Sequence, residues 1–200
     1  MPEGLVTETN ELTLKDGTHV SIRPMRVEDG VAVAEFFRDL PEEDRRYLRE
    51  DVVRPAFLET FLRKIANFEA VSLIATASGK VVGSATLYRN PHGWTRHVGD
   101  LRVEVARPHQ RHGLGTHLAR ALVRHAVAIG LDKLVVEVVE EQRGALKTFE
   151  RLGFRKEAVL KGQVRDIDGK RHNLVILSND VSHLWDRMEA LVADFSPTSG

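Results

Sequence analysis

The sequence predicts one α+β domain, a mixed sheet with helices interleaved among its strands. Three observations carry that prediction. Strand-like segments meet at Asp16-Gly17, Ser78-Gly79 and Asp168-Gly169, residues suited to tight hairpin turns. Between them lie stretches with apolar residues at helical spacing. One run, Leu134 to Val139, is nearly all apolar, as a central strand buried on both faces must be.

Taken in order, residues 12–15 and 18–24 form the first hairpin around Asp16-Gly17. Asp29 is placed to cap a helix running to about Leu40, with Val33, Phe36, Phe37 and Leu40 on its buried side. A second helical region follows Pro41. A third begins near Pro55, with Phe57, Phe61 and Ile65 at spacing 4. Strands 70–77 and 80–89 flank Ser78-Gly79. In the next strand, 97–106, Leu101, Val103 and Val105 alternate with Asp100, Arg102 and Glu104. Period 2 therefore puts the charged side chains on one face and the aliphatics on the other. A helix from about Gly113 to Ile129 ends at Gly130 as a left-handed cap, and a shorter one, 143–152, stops at Gly153 with Phe154 folding back. Two strands follow around Asp168-Gly169. The last helix, 181–195, carries Leu184, Trp185, Met188, Leu191, Val192 and Phe195 on one side. Residues 1–10 and 196–200 read as frayed ends.

Composition narrows the function classes. Of 200 residues, 42% are apolar and 29% charged, which excludes wholesale disorder. Lys plus Arg and Asp plus Glu are 29 each, so no global field holds nucleic acid or an anionic membrane. The absence of cysteine excludes a disulfide framework, a thiolate nucleophile and Cys-ligated zinc. Met1 to Asn10 has no apolar core of a signal peptide, and no apolar run is long enough to span a bilayer. The expectation is a cytoplasmic protein.

The chemical signal lies in Gln110-Arg-His-Gly-Leu-Gly-Thr116, between a strand and a helix. Gly113 and Gly115 permit positive φ and close backbone approach, so successive N–H groups can converge on one point. The helix adds its unpaired N–H groups and positive dipole end, Arg111 a full charge and His112 a partial one. Such a loop suits a phosphate or pyrophosphate. A P-loop needs Lys-Ser or Lys-Thr after the second glycine, where Thr116-His117 stands. A dinucleotide fold wants a third glycine where Leu118 stands.

Gln110-x-x-Gly113-x-Gly115 resembles the acyl-CoA pyrophosphate loop of the GNAT N-acetyltransferase superfamily. The flanking order agrees over roughly Leu12 to Ser178. Thr18-His-Val-Ser-Ile-Arg-Pro-Met-Arg-Val-Glu-Asp29 resembles that family's opening strand and first helix. Glu141-Gln-Arg-Gly-Ala-Leu-Lys-Thr-Phe-Glu-Arg-Leu-Gly-Phe154 resembles its later Glu-Asn-Arg segment, helix and Leu-Gly-Phe. The opening segment and Phe149 to Phe154 look most like the bacterial protein-lysine acetyltransferase branch.

The resemblance implies a domain over residues 10–178; a C-terminal amphipathic helix, 179–195, is appended to it and falls outside the resemblance. The resemblance also implies a mostly antiparallel sheet in which two parallel strands, 97–106 and 133–140, splay apart. Acetyl-CoA would lie in that cleft as co-substrate, its pantetheine pairing with backbone at Val103 and Val105. Its pyrophosphate would rest on Gln110, Arg111, His112, Gly113, Leu114, Gly115 and Thr116. Gln142, where the family often has Asn, would contact it from the second strand's exit. The implied activity is direct transfer of acetyl to a primary amine, a protein lysine leading. The alternatives are a small amine (amino acid, polyamine or antibiotic) or a non-catalytic acyl-CoA-binding sensor.

A lysine-like amine near pKa 10.4 is neutral in roughly one molecule in 2,500 at pH 7, so a base must take its proton. Asp100 falls where the protein-acetylating branch carries its strand carboxylate, one methylene shorter than the usual Glu. It is therefore expected to work through a water, or else to pair with Arg102, His97 or Arg96 on the surface. Glu104 is the second candidate. Val105 is the expected N–H donor to the carbonyl oxygen, freed by a bulge before Pro108. The position where many relatives carry a tyrosine acid is Phe149, read as core with Ala145 and Leu152. CoA thiol, near pKa 8.5, leaves without strong acid help.

His109 and His112 lack a third ligand, so no metal is expected. The arginines at 38, 45, 46, 49, 54 and 63 fall where the family shapes its acceptor cleft, either to receive an acidic substrate or as a solvated face. The last helix packs on its own domain or makes a dimer, so the expected state is monomer or homodimer.

Overall fold

The computed structural model describes residues 9–52 and 54–193, without the side chains of Pro55 and 188–193. The strands are β1 (Asn10–Thr13), β2 (His19–Pro24), β3 (Ala70–Ala77), β4 (Lys80–Arg89), β5 (Val98–Val105), β6 (Lys133–Val139), β7 (Arg155–Arg165) and β8 (Arg171–Asp180). The helices are α1 (Gly30–Asp39), α2 (Glu42–Arg45), α3 (Pro55–Ala66), α4 (Leu114–Ala128), α5 (Arg143–Arg151) and α6 (Val181–Ala193). One sheet runs in the order β1-β2-β3-β4-β5-β6-β8-β7, antiparallel throughout except between β5 and β6. This is the mixed, mostly antiparallel architecture with one parallel pair that the sequence predicts.

Each face of the sheet carries a core. Leu73, Ala85, Leu87, Leu101, Leu134 and Val136 pack with Leu114, Leu118 and Leu122 of α4. Leu118 and Leu122 are 0% exposed, and each stabilises the fold by roughly 1.5–3 kcal/mol. On the other face Ile74 meets Val33, Phe36 and Phe37 of α1 and Phe61 of α3. The last helix packs on its own domain: Leu184 is buried in the α4-side core, and Arg120 of α4 lies over the Trp185 ring at 5.2 Å. The side chains of Met188, Leu191 and Val192, and all of Phe195, lie outside the described residues.

Asp29 does not cap α1 with its side chain. Its carboxylate instead takes both prongs of the Arg23 guanidinium, at 2.6 and 2.7 Å, and the Arg26 N–H at 2.7 Å. A bidentate ion pair is stronger than a neutral cap bond, and it holds the Asp29 carboxyl below its ordinary range. The pair fixes β2 to the start of α1.

Parallel pairing between β5 and β6 covers only Val98↔Lys133, Gly99↔Leu134 and Asp100↔Val135. Beyond Asp100 the two strands part. A Cβ on Gly99 would lie 2.7 Å from Leu87 Cδ1, 2.8 Å from Leu134 Cδ2 and 2.9 Å from Leu131 Cδ1. A side chain at this seam would have to push all three leucine methyl groups aside.

Candidate active site

The ladder on the far side of β5 decides which backbone groups face the gap. Ala106 N–H donates to the Val82 carbonyl at 2.9 Å, one step outside the Gly83↔Val105 pair. Gly83↔Val105 is therefore a non-hydrogen-bonded pair, and by alternation so is Ala85↔Val103. The N–H and C=O of Val103 and Val105 turn away from β4 and into the gap. The bulge expected before Pro108 does not occur: the β4–β5 register runs without a shift, and a 3-10 turn follows at Arg107–His109. Splaying of the strands, not a bulge, frees these N–H groups.

The glycine loop closes the wide end of the gap. Gln110 Nε2 donates to the Val105 carbonyl at 2.8 Å, tying loop to strand. Arg111 at φ 64° and Gly113 at φ 98° are both left-handed, so the chain turns sharply on either side of His112. The α4 ladder opens with His117 N–H on the Gly113 carbonyl at 3.1 Å. The N–H groups of Leu114, Gly115 and Thr116 thus have no acceptor inside the helix and stand at its positive end. A Cβ on Gly115 would reach to 3.7 Å from Val105 Cγ2 and 3.8 Å from Val103 Cγ1. Glycine there keeps the space between helix and strand open. This donor set fits a pyrophosphate.

The other residues expected at the cofactor divide. Gln110, Arg111, Gly113, Gly115, Thr116, Val103, Val105 and Gln142 all line one cleft of about 1280 Å³. The Leu114 side chain is core, so only its backbone is available. His112 Nε2 lies 3.9 Å from Asp16 Oδ2, which places the ring at the first hairpin turn. Gln142 caps α5 in sequence position, while its Oε1 accepts the Val139 N–H at 3.2 Å and closes the end of β6. Phe149 is buried edge-on to Phe154 at 5.5 Å, with Ala145 packed against the same core.

On the opposite face of β5 the charges are paired. Asp100 Oδ2 accepts Arg49 Nη1 and Arg102 Nη2, each at 3.1 Å. Arg102 was foreseen as a partner, whereas Arg96 and His97 are replaced by Arg49, which the chain brings in from the segment after α2. Arg49 Nη1 also lies 3.1 Å from Glu137 Oε2 on β6. Arg102 reaches Glu50 and stacks over the Tyr88 ring at 4.2 Å. Glu104 differs from all of these. Its Oε2 is shut off from solvent and has no hydrogen-bond partner, and burial pushes its carboxyl up to about 7.

The segment after α2 crosses this face as a strap. Arg46 pairs with Asp168 in the β7–β8 turn at 3.0 Å, and Tyr47 stands edge-on to the His172 ring at 5.5 Å. His172 is buried between Glu141 Oε1 and Asp166 Oδ2, both at 2.8 Å. Glu141 and then Asp166 raise the imidazole's pKa, and the ring in turn lowers theirs. Arg46 and Arg49 are thus ion-paired to the sheet side of the cleft, and Arg54 pairs locally with Asp51 at 2.9 Å.

Among the described residues, no group of three His, Asp or Glu side chains is arranged to hold a metal ion. None of their helices is long and apolar enough to cross a membrane. Sequence reasoning named Asp100, Glu104, the loop and, among six arginines, Arg49, but did not foresee Glu137 as the partner of Arg49. The apolar run that marked β6 drew attention away from the one acid inside it.

Comparison with known proteins follows the same lines. The family model described as "Acetyltransferase (GNAT) family" matches residues 29–154. N-alpha-acetyltransferase 30 of Xenopus laevis is 25% identical over 167 residues, covering 79% of this chain and 58% of that protein. The chain thus spans little more than half the length of that curated relative. Mycobacterium smegmatis RimJ, solved in complex with CoA-disulfide, superposes with a TM-score of 0.74 at 17% identity, covering 96% of this chain and 98% of that one. The GNAT domain of S. lividans PAT gives 0.71 at 19% identity, covering 86% and 96%.

Proposed function

Because this chain belongs to the acetyltransferase (GNAT) family, we propose that it transfers the acetyl group of acetyl-CoA directly to a primary amine, a protein lysine being the favoured acceptor. The observation that carries the reading is the parted edge of β5. The N–H and C=O of Val103 and the N–H of Val105, all turned into the gap, lead straight to the unpaired N–H groups at the head of α4. An extended chain ending in a pyrophosphate is the ligand such a track fits.

Acetyl-CoA supplies an acyl carbon activated as a thioester, and the chain's residues do the rest. The pyrophosphate end is fixed at Gly113 to Thr116, beside Val105, so the reacting end lies further along β5 toward Asp100. Val103 N–H is then better placed than Val105 N–H to hold the carbonyl oxygen as it gains charge. Val105 serves the pantetheine.

Proton removal falls to Glu104. A carboxyl near 7 is matched to neutral operation, whereas Asp100 is engaged by two guanidinium groups. A small cavity of about 30 Å³ is lined by both Glu104 and Arg49, together with Tyr88 and Thr86. It has room for one water to relay a proton to Glu104. No residue is assigned to protonate the leaving thiolate, since Phe149 has no proton to give.

The test is release of CoA thiol from acetyl-CoA with and without amines: lysine-bearing proteins, amino acids, polyamines and aminoglycosides. Acceleration by lysine-bearing proteins is the expected result. Acceleration by small amines alone moves the acceptor to that class. Tight acetyl-CoA binding without any amine-dependent turnover makes the protein a sensor and overturns the transferase.

A further inference from the structure

The ion pairs of Arg49 have a geometry that ordinary surface pairs lack. Its single Nη1 sits 3.1 Å from Asp100 Oδ2 on β5 and 3.1 Å from Glu137 Oε2 on β6. Those residues stand on opposite sides of the parting strands. Asp100 is paired in register with Val135, and Glu137 lies two residues further along the same face of β6. The guanidinium thus bridges the narrow end of the gap, on the side of the sheet away from α4.

Two further facts make this a seat for a mobile cation. Arg49 is the most solvent-exposed member of the group, its side chain 56% exposed against 26% for Asp100 and 30% for Glu137. Exposed pairs of this kind contribute only about 0–1 kcal/mol, so another cation can displace it. Next, Glu104 Oε2 is shielded and unpartnered, and it borders the same small cavity as Arg49. An acid with no partner, lining the same large cleft as Asp100 and Glu137, is arranged to receive a proton from a cation held between them.

We propose that Asp100 and Glu137 form the seat of the acceptor's ammonium group, and that Arg49 is a resident cation which the acceptor displaces on binding. The proposal rests on the transferase reading and gives it an acceptor site. A primary ammonium places its N–H donors on the two carboxylates as Arg49 Nη1 does now. It loses one proton to Glu104 by way of water in the cleft that all three acids line, and the neutral nitrogen then faces the gap. The exposed Arg49 side chain swings outward while the strap stays held by Arg46 and Glu50. It sets how tightly acceptors bind and takes no part in the chemistry.

The test uses n-butylamine, an ammonium at neutral pH, as the probe, with binding followed by NMR titration of the full chain. Arg49→Ala should tighten butylammonium at least threefold and lower the amine KM by a similar factor. Arg49→Lys, which keeps the resident cation, should behave as wild type. Glu137→Gln should weaken the probe at least fivefold. Acetyl-CoA affinity should stay within twofold in all three. Weaker or unchanged amine binding in Arg49→Ala would overturn the proposal, even if wild type acetylates amines. Tighter probe binding in Arg49→Ala with no amine turnover in any variant would leave the cation seat standing and overturn the transferase instead.

Discussion

Gln110 donates its side-chain N–H to the backbone carbonyl of Val105 across 2.8 Å, so the glycine loop is anchored to the strand whose free edge it adjoins. Without that bond the loop keeps its backbone turns and its contacts with the first hairpin, Lys15 N–H on the His112 carbonyl and His112 beside Asp16. Gln110→Ala should therefore weaken acetyl-CoA binding about 2–10-fold, the worth of one neutral hydrogen bond, with little change in Tm. Calorimetric titration and a thermal melt check both halves.

Glu104 gives a prediction with two signs. Burial raises its carboxyl to about 7, above its unfolded value near 4.3, so the ionised form is disfavoured in the folded state. The folded state loses stability on this account as pH climbs from about 4.3 to 7, and the loss then stays constant. Glu104→Gln should melt higher than wild type at pH 8 and equally at pH 4. It should also lose the rise of kcat/KM with an apparent pKa near 7 and fall at least tenfold in kcat. A variant that keeps that pH profile removes Glu104 from proton transfer.

Asp100 separates two roles. As the ammonium's anchor, Asp100→Asn should raise the amine KM about tenfold and leave acetyl-CoA affinity unchanged. As the base, it would lower kcat with KM held. Steady-state kinetics in both substrates distinguish the two, and the first outcome is expected.

Gly99 sits where three leucine methyl groups leave no room for a side chain. Overpacking of this kind costs about 1–3 kcal/mol. Gly99→Ala should lower Tm, at about 2–4 °C per kcal/mol for a chain of this size, and reduce acetyl-CoA affinity because the seam shapes the gap. A melt unchanged from wild type would show that Leu87, Leu131 and Leu134 yield freely.

His172 makes stability depend on pH. Its pKa is raised by Glu141 and Asp166, so its contribution is complete below about 6.5 and is lost as pH rises through the higher folded value. The two carboxyls are lowered, so theirs is present above about 4 and is lost as pH falls. The anchor under Tyr47 is therefore strongest between roughly pH 4 and 6.5. His172→Asn should melt lower than wild type at pH 6, and the difference should shrink by pH 9.

Much of this was legible in the chain itself. Strands 70–77 and 80–89 begin and end where the residues predict, because Ser78-Gly79 supplies the turn between them, while the register shift at Ala75/Thr76 was not foreseen. The α4 helix and its loop follow from glycine conformations that are local. Asp29 was misread because its partner Arg23 outcompetes a cap, and local rules do not see a guanidinium brought in by the neighbouring strand. Arg49 and Glu137 meet only once the strap has crossed the sheet. Glu104 looks like any surface acid until α1 and α3 cover its face. For Arg49, Glu137 and Glu104 the deciding contacts are distant in sequence; for Asp29 the partner is only six residues away but on another element.

The three-pair seam between β5 and β6 makes the sheet two panels, β1–β5 and β6–β8, stitched along one short edge. A ligand lying along the open remainder would act as a ninth strand, lending its amides to an incomplete ladder. Its affinity would then be partly a property of the fold: every increment of binding is added to the free energy that keeps the panels together, as RT ln(1 + [L]/Kd). An empty protein would be the looser one, its β5 and β6 amides exchanging with solvent sooner than those of β3 and β4.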